Sequence, residues 1–139
     1  AWDWWYYSEK LRQQQFNFTE EEVKPYFSED KVLQGAFEVA NKLFDITFTE
    51  SEDLPKYRDN IRSFIVKDND EKVIGIFYTD YTLRPNKGGG AWMNTFRSQS
   101  KFNGEIIPLV VNVCNFPPPN SDGVSLLSFE QVETLFHEF

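Results

Sequence analysis

The residues with the clearest chemical potential are His137 and Glu138, the single histidine of the chain and the acid that follows it. They read as the first half of His-Glu-x-x-His. That pattern sets two histidines one helical turn apart on a zinc ion, with the glutamate placed to take a proton from water at the metal. The second histidine would fall at position 141, two beyond the last residue, Phe139. Such a site needs three protein ligands and one open position. One neutral imidazole does not hold Zn²⁺ at useful affinity. Glu133, four residues before His137, could add a carboxylate, although the same spacing better suits a weak ion pair. The residues also read as a capped helix whose polar side chains are incidental. The expectation is that the 139-residue polypeptide is zinc-free and catalytically inert.

The element that must carry this pair is a helix over residues 128–139. Ser128 with Gln131 makes a capping box, and Val132, Leu135, Phe136 and Phe139 recur on one face. Before it, Ile106-Ile-Pro-Leu-Val-Val-Asn-Val-Cys-Asn-Phe116 is apolar on both alternations. Leu109, Val111 and Val113 share one face and Val110, Cys114 and Phe116 the other, which predicts an interior strand covered on both sides. Pro108 belongs at its start. Ile61–Val66 and Val73–Thr79 flank the turn-forming Asp68-Asn-Asp-Glu71, a hairpin in which Gly75 marks a bulge or a close backbone approach. Gly88-Gly-Gly90 lacks a following helix and so makes a poor phosphate loop; by itself it reads as a wide hairpin turn.

The first 60 residues read as mainly helical. A helix over 1–16 brings Trp2, Trp5, Tyr6 and Leu11 to one side, suited to packing against a neighbouring helix. Thr19 with Glu22 is another capping box, and Pro25 keeps the next element short. Ser28 caps a helix over 29–44 whose stripe is Val32, Leu33, Ala36, Phe37, Ala40, Leu43 and Phe44. A connecting stretch follows, with one short strand at Ile46-Thr-Phe48. The whole is an α+β domain: N-terminal helices over 1–60, a small twisted mixed or antiparallel sheet over 61–116, and a C-terminal helix over 128–139.

Fourteen Lys and Arg against 22 Asp and Glu leave a net charge of −8, which argues against nucleic acid or an anionic membrane as partner. No apolar run approaches membrane-spanning length. The lone Cys114 excludes an internal disulfide and reads as a small buried hydrophobe.

Five stretches carry a resemblance: Ala1-Trp-Asp-Trp-Trp-Tyr-Tyr-Ser-Glu-Lys10, Lys24-Pro-Tyr-Phe27, Gly88-Gly-Gly-Ala-Trp-Met-Asn94, Val113-Cys-Asn-Phe116 and Thr134-Leu-Phe-His-Glu-Phe139. With them the chain resembles, nearly end to end, an internal piece of the thimet oligopeptidase and peptidyl-dipeptidase family of zinc metallopeptidases. The bacterial peptidyl-dipeptidase branch is the nearer, from the pair Trp4-Trp5. The resemblance implies a single piece, residues 1–139, excised from a longer catalytic domain and cut inside the zinc motif. It implies a zincin-like arrangement, in which a twisted sheet lies beside the metal-binding helix. His137 would be the first zinc ligand and Glu138 the general base, with a second His and a Glu ligand further on. Gly89, Gly90, Ala91 and Trp92 would recognise substrate backbone along an edge strand above the cleft. The implied parent binds Zn²⁺, hydrolyses short oligopeptides, is monomeric, and resides in the bacterial cytoplasm or periplasm. The excised piece would expose apolar surface and self-associate. A non-enzymatic, acidic, aromatic-rich module binding peptide or carbohydrate is the alternative from another class.

Overall fold

The computed structural model describes residues 3–16 and 18–139. Among these the order is α1 (Asp3–Phe16), α2 (Glu20–Val23), a 3-10 turn (Lys24–Tyr26), α3 (Glu29–Phe44), β1 (Thr47–Glu50), β2 (Arg62–Lys67), β3 (Val73–Thr82), β4 (Trp92–Arg97), β5 (Leu109–Phe116) and α4 (Phe129–Glu138). The strands form one mixed sheet in the order β1-β2-β3-β5-β4. Only β3 and β5 run parallel; the other neighbours are antiparallel. The α+β architecture expected from the sequence is therefore present.

Burial decides the strand order. Both faces of β5 are apolar: Cys114 and Phe116 join the core under α3 and α4, while Val111 and Val113 join a second cluster with Ile61, Ile76 and Tyr78 on the opposite face. A strand covered on both sides belongs in the interior of a sheet. β4, exposed along its whole length, takes the edge. Gly88-Gly-Gly90 is consequently not a hairpin turn, because β5 lies between β3 and β4. The loop passes over the end of β5, spanning two strand spacings of roughly 4.8 Å each.

Other expectations meet the structure unevenly. The β2–β3 hairpin forms, its turn organised by Asp68, whose carboxylate accepts from the Asp70 and Lys72 backbone N–H groups at 3.0 Å each. Gly75 serves both suggested purposes. The register shifts beside its partner Val66, and a Cβ at Gly75 would stand 3.3 Å from Pro108 Cγ. The short strand lies at Thr47–Glu50, one residue later than expected at its start. α3 buries Val32, Leu33, Ala36, Phe37 and Ala40, but Leu43 and Phe44 are exposed, since the last turn projects beyond the core it covers. Ser28 stands at the N-cap without a side-chain cap bond; instead the Glu29 N–H donates to Ser125 O at 2.9 Å. α1 buries none of its described residues, so Trp5, Tyr6 and Leu11 do not pack against a neighbouring helix as expected. Four of its aromatic residues, Trp4 to Tyr7, are consecutive, and at 100° per residue they surround the helix rather than forming a stripe. Trp2 lies outside the described residues.

A buried charge cluster fixes the loop between β3 and β4. Lys87, with its side chain 3 % exposed, donates to Asp80 Oδ1 at 3.0 Å and to the carbonyls of Asp80 at 2.7 Å, Thr82 at 3.1 Å and Cys114. Arg84 grips the Asp80 carboxylate with two bonds, and Tyr57 Oη donates a third at 2.8 Å. Burial alone would raise the Asp80 pKa, but the bonds from Arg84, Tyr57 and Lys87 outweigh it and bring it down to about 2. Asn115 Nδ2 then holds the glycines, donating to Gly88 O at 2.8 Å and Gly90 O at 2.9 Å.

Two outcomes are expected. Gly75→Val should press on Pro108 and lower the unfolding free energy by about 1–3 kcal/mol, read as a lower urea midpoint at unchanged slope. An unchanged midpoint would show that Pro108 yields freely. Because the folded pKa of Asp80 is depressed, its contribution is fully present above the unfolded value near pH 4 and is lost as pH falls toward 2. Asp80→Asn should therefore flatten acid destabilisation in that window by about 2 kcal/mol; an unaltered acid profile would remove Asp80 from that role.

Candidate active site

Helix α4 starts as its sequence requires. Gln131 N–H donates to Ser128 Oγ at 3.2 Å, and Ser128 N–H donates to Gln131 Oε1 at 2.9 Å, closing the capping box. Leu135 is wholly buried and Val132 packs partly against the same core. The Phe139 ring lies 5.6 Å from those of Phe48 and Phe77 and 5.8 Å from that of Phe37, anchoring the far end of the helix. Phe136 departs from the expected face and is 42 % exposed. It sits 100° around the helix from Leu135, on a side that no described residue closes over.

This docking turns the opposite face of α4 outward. His137 is exposed and Glu138 half-buried. With Glu130, Glu133, Thr134 and Ala91 they line an open depression of about 440 Å³. Of the residues expected along the edge strand, Ala91 thus shares a wall with His137 and Glu138. Gly89 and Gly90 lie in the preceding loop and do not line the depression. Gly90 adopts φ +85°, a conformation that suits glycine, and a Cβ at Gly89 would meet open space. Trp92 begins β4 opposite Val113, and its side chain lines a separate cavity of about 470 Å³ with Val111, Val113 and the Asp80 cluster. Its backbone is on the free edge; its indole is not on the His137 side.

No ion pair joins Glu133 to His137 among the described residues, so the expected weak pairing is not formed. Nor do three His, Cys, Asp or Glu side chains converge there into a group that could hold a metal. Cys114, beneath α4, is fully buried. Burial first, and the Glu138 charge second, push its thiol up to about 12, which suits an inert small hydrophobe. Burial likewise raises the Glu29 carboxyl.

Sequence reasoning missed the parts that hold this site in place. The signal for the Asp80 cluster was an acid inside a strand with Arg84 and Lys87 four and seven residues on. The signal for the glycine clamp was Asn115 inside an otherwise apolar strand.

Comparison with known proteins gives these positions a context. The sequence model of peptidase family M3 matches residues 1–139. The chain is 44 % identical over 140 residues to a dipeptidyl carboxypeptidase of Salmonella typhimurium, covering 100 % of this chain and 20 % of that protein. It is 41 % identical to the dipeptidyl carboxypeptidase of Escherichia coli, covering 99 % of the chain and 20 % of the relative. It is 38 % identical to the oligopeptidase A of Escherichia coli, covering 99 % and 21 %. The chain spans about a fifth of the length of these relatives. No helix among the described residues is long and apolar enough to cross a membrane. With a match along its full length, the chain belongs to peptidase family M3.

Proposed function

We propose that these residues form part of a longer zinc metallopeptidase that hydrolyses short oligopeptides. The observation that carries this reading is the joining of His137, Glu138 and Ala91 around one open depression beside an exposed edge strand. Family membership and relatives named dipeptidyl carboxypeptidase and oligopeptidase A support it.

The donor chemistry of the depression fits a divalent cation. It offers one accessible imidazole, His137, while Glu130, Glu133 and Glu138 line the wall without converging on it into a complete ligand set. In this reading His137 is one zinc ligand, and the remaining ligands come from residues of the longer protein. When bound, Zn²⁺ supplies Lewis-acid activation of water and of the scissile carbonyl. Glu138 takes the proton from the attacking water and passes it to the leaving amine. Substrate is held as an added strand against the free edge of β4, where no neighbouring strand competes for its backbone groups. Gly89 and Gly90 keep the approach clear of side chains, while Ala91 and Trp92 offer backbone at the start of the edge. The Asn115 and Lys87 clamps make that backbone rigid before substrate arrives.

The test uses the full-length protein. Glu138→Gln should keep one zinc per chain and lose about 10²–10⁴-fold in kcat, whereas His137→Ala should lose the metal as well. The 139-residue chain alone should carry no stoichiometric zinc and show no chelator-sensitive hydrolysis. A zinc-free wild-type parent, or full activity in the Gln variant, would overturn the assignment.

A further inference from the structure

The face of the sheet beneath α4 carries polar side chains that the apolar core does not explain. Thr79, Tyr81 and Asn112 are each at most 3 % exposed. Among the described residues neither Nδ2 nor Oδ1 of Asn112 has a hydrogen-bond partner, and the Tyr81 hydroxyl has none either. Leaving a buried amide unpaired costs on the order of a tenfold or greater loss in the folding constant, so an orphan at this depth calls for a partner.

Asn112 lines a largely apolar groove of about 360 Å³ with Val110, Met93 and Phe139, and Glu138 is the one charged residue on that groove's wall. The Glu138 side chain makes no hydrogen bond or ion pair within the described residues. Its charge nonetheless bears on the Cys114 thiol, behind burial as the main cause. Cys114 is two residues along β5 from Asn112 and so on the same face of the strand. Glu138 and the unpaired amide thus stand on the wall of the same groove over β5. A donor without an acceptor and an acceptor without a donor line one groove.

We infer that Asn112 is a positioning residue whose side-chain N–H donates to the Glu138 carboxylate and sets its orientation at the end of α4. Asn112 Nδ2 carries two hydrogens, so one serves the neighbouring Tyr81 oxygen, whose pKa the amide lowers, while the other reaches Glu138. The assignment of Glu138 as base rests on the preceding section; the hydrogen bond itself does not.

A double-mutant cycle in the 139-residue chain, read by urea unfolding, separates the two. Asn112→Leu should lower the folding constant roughly tenfold beside Glu138 and leave it unchanged or raised beside Glu138→Leu. Equal effects in both backgrounds would overturn the inference, since an amide without a partner gains from replacement by an apolar side chain wherever Glu138 is. In the full-length protein, Asn112→Leu should retain zinc and KM while kcat falls about 10–100-fold, with partial recovery in Asn112→Gln. Loss of zinc, or an unchanged kcat, would count against positioning. Because the cycle needs no activity, its failure is distinguishable from failure of the peptidase reading.

Discussion

The position of β5 is the constraint on which the rest depends. Its two faces are both apolar, and its residues feed two separate cores, one under the helices and one on the far side of the sheet. Apolar area is worth roughly 25 cal/mol per Å² removed from water, so the favoured arrangement gives this strand neighbours on both edges and cover on both faces. β3 takes one edge and runs parallel to it; β4 takes the other and runs antiparallel. A parallel pair cannot be joined by a tight turn. The chain between β3 and β5 must therefore travel, and β4 is what it forms on the way. The free edge beside His137 is a consequence of burying β5.

That route would be loose without the charge cluster at its start. Lys87 reaches β3 and β5 together, through the carbonyls of Asp80, Thr82 and Cys114, and so ties the departing loop to both strands. A buried lysine is expensive, and burial does lower its pKa, but Asp80 and three carbonyls satisfy its protons. Arg84 and Tyr57 complete the carboxylate. The result is a loop held in one course, with Asn115 setting the glycines beyond it.

Helix α4 is placed by different means. Leu135 points into the core, and the partly exposed Phe139 rests against the rings of Phe37, Phe48 and Phe77; together they fix the height and rotation of the helix. Rotation matters because one residue is 100°. With Leu135 inward, His137 faces the open depression and Glu138 lies at the seam between that depression and the groove over β5. The two neighbours in sequence thus meet different surroundings: an exposed imidazole and a half-buried carboxylate on the wall of both hollows.

Local patterns determined much of this from the sequence alone. The Ser128–Gln131 box, the α3 stripe as far as Ala40, the Asp68 turn and the double-sided apolarity of β5 are short-range features, and each formed because the interactions concerned span a few residues. The placing of His137 and Glu138 in the last turn of a capped helix was legible for the same reason. What only the tertiary structure decided depends on residues distant in sequence. The glycine loop crosses a strand that comes later in the chain, so it could not be told from a hairpin by its own composition. Phe136, Leu43 and Phe44 fit their helical stripes yet stay exposed, because a stripe records what could be buried and not how far the covering element extends. Asn112 and Lys87 look misplaced in sequence, one inside an apolar run and the other beside glycines. Lys87 finds its role at the Cys114 carbonyl, 27 residues ahead, and Asn112 shares a groove with Glu138, 26 residues ahead; only the folded sheet and the docked helix bring these groups together.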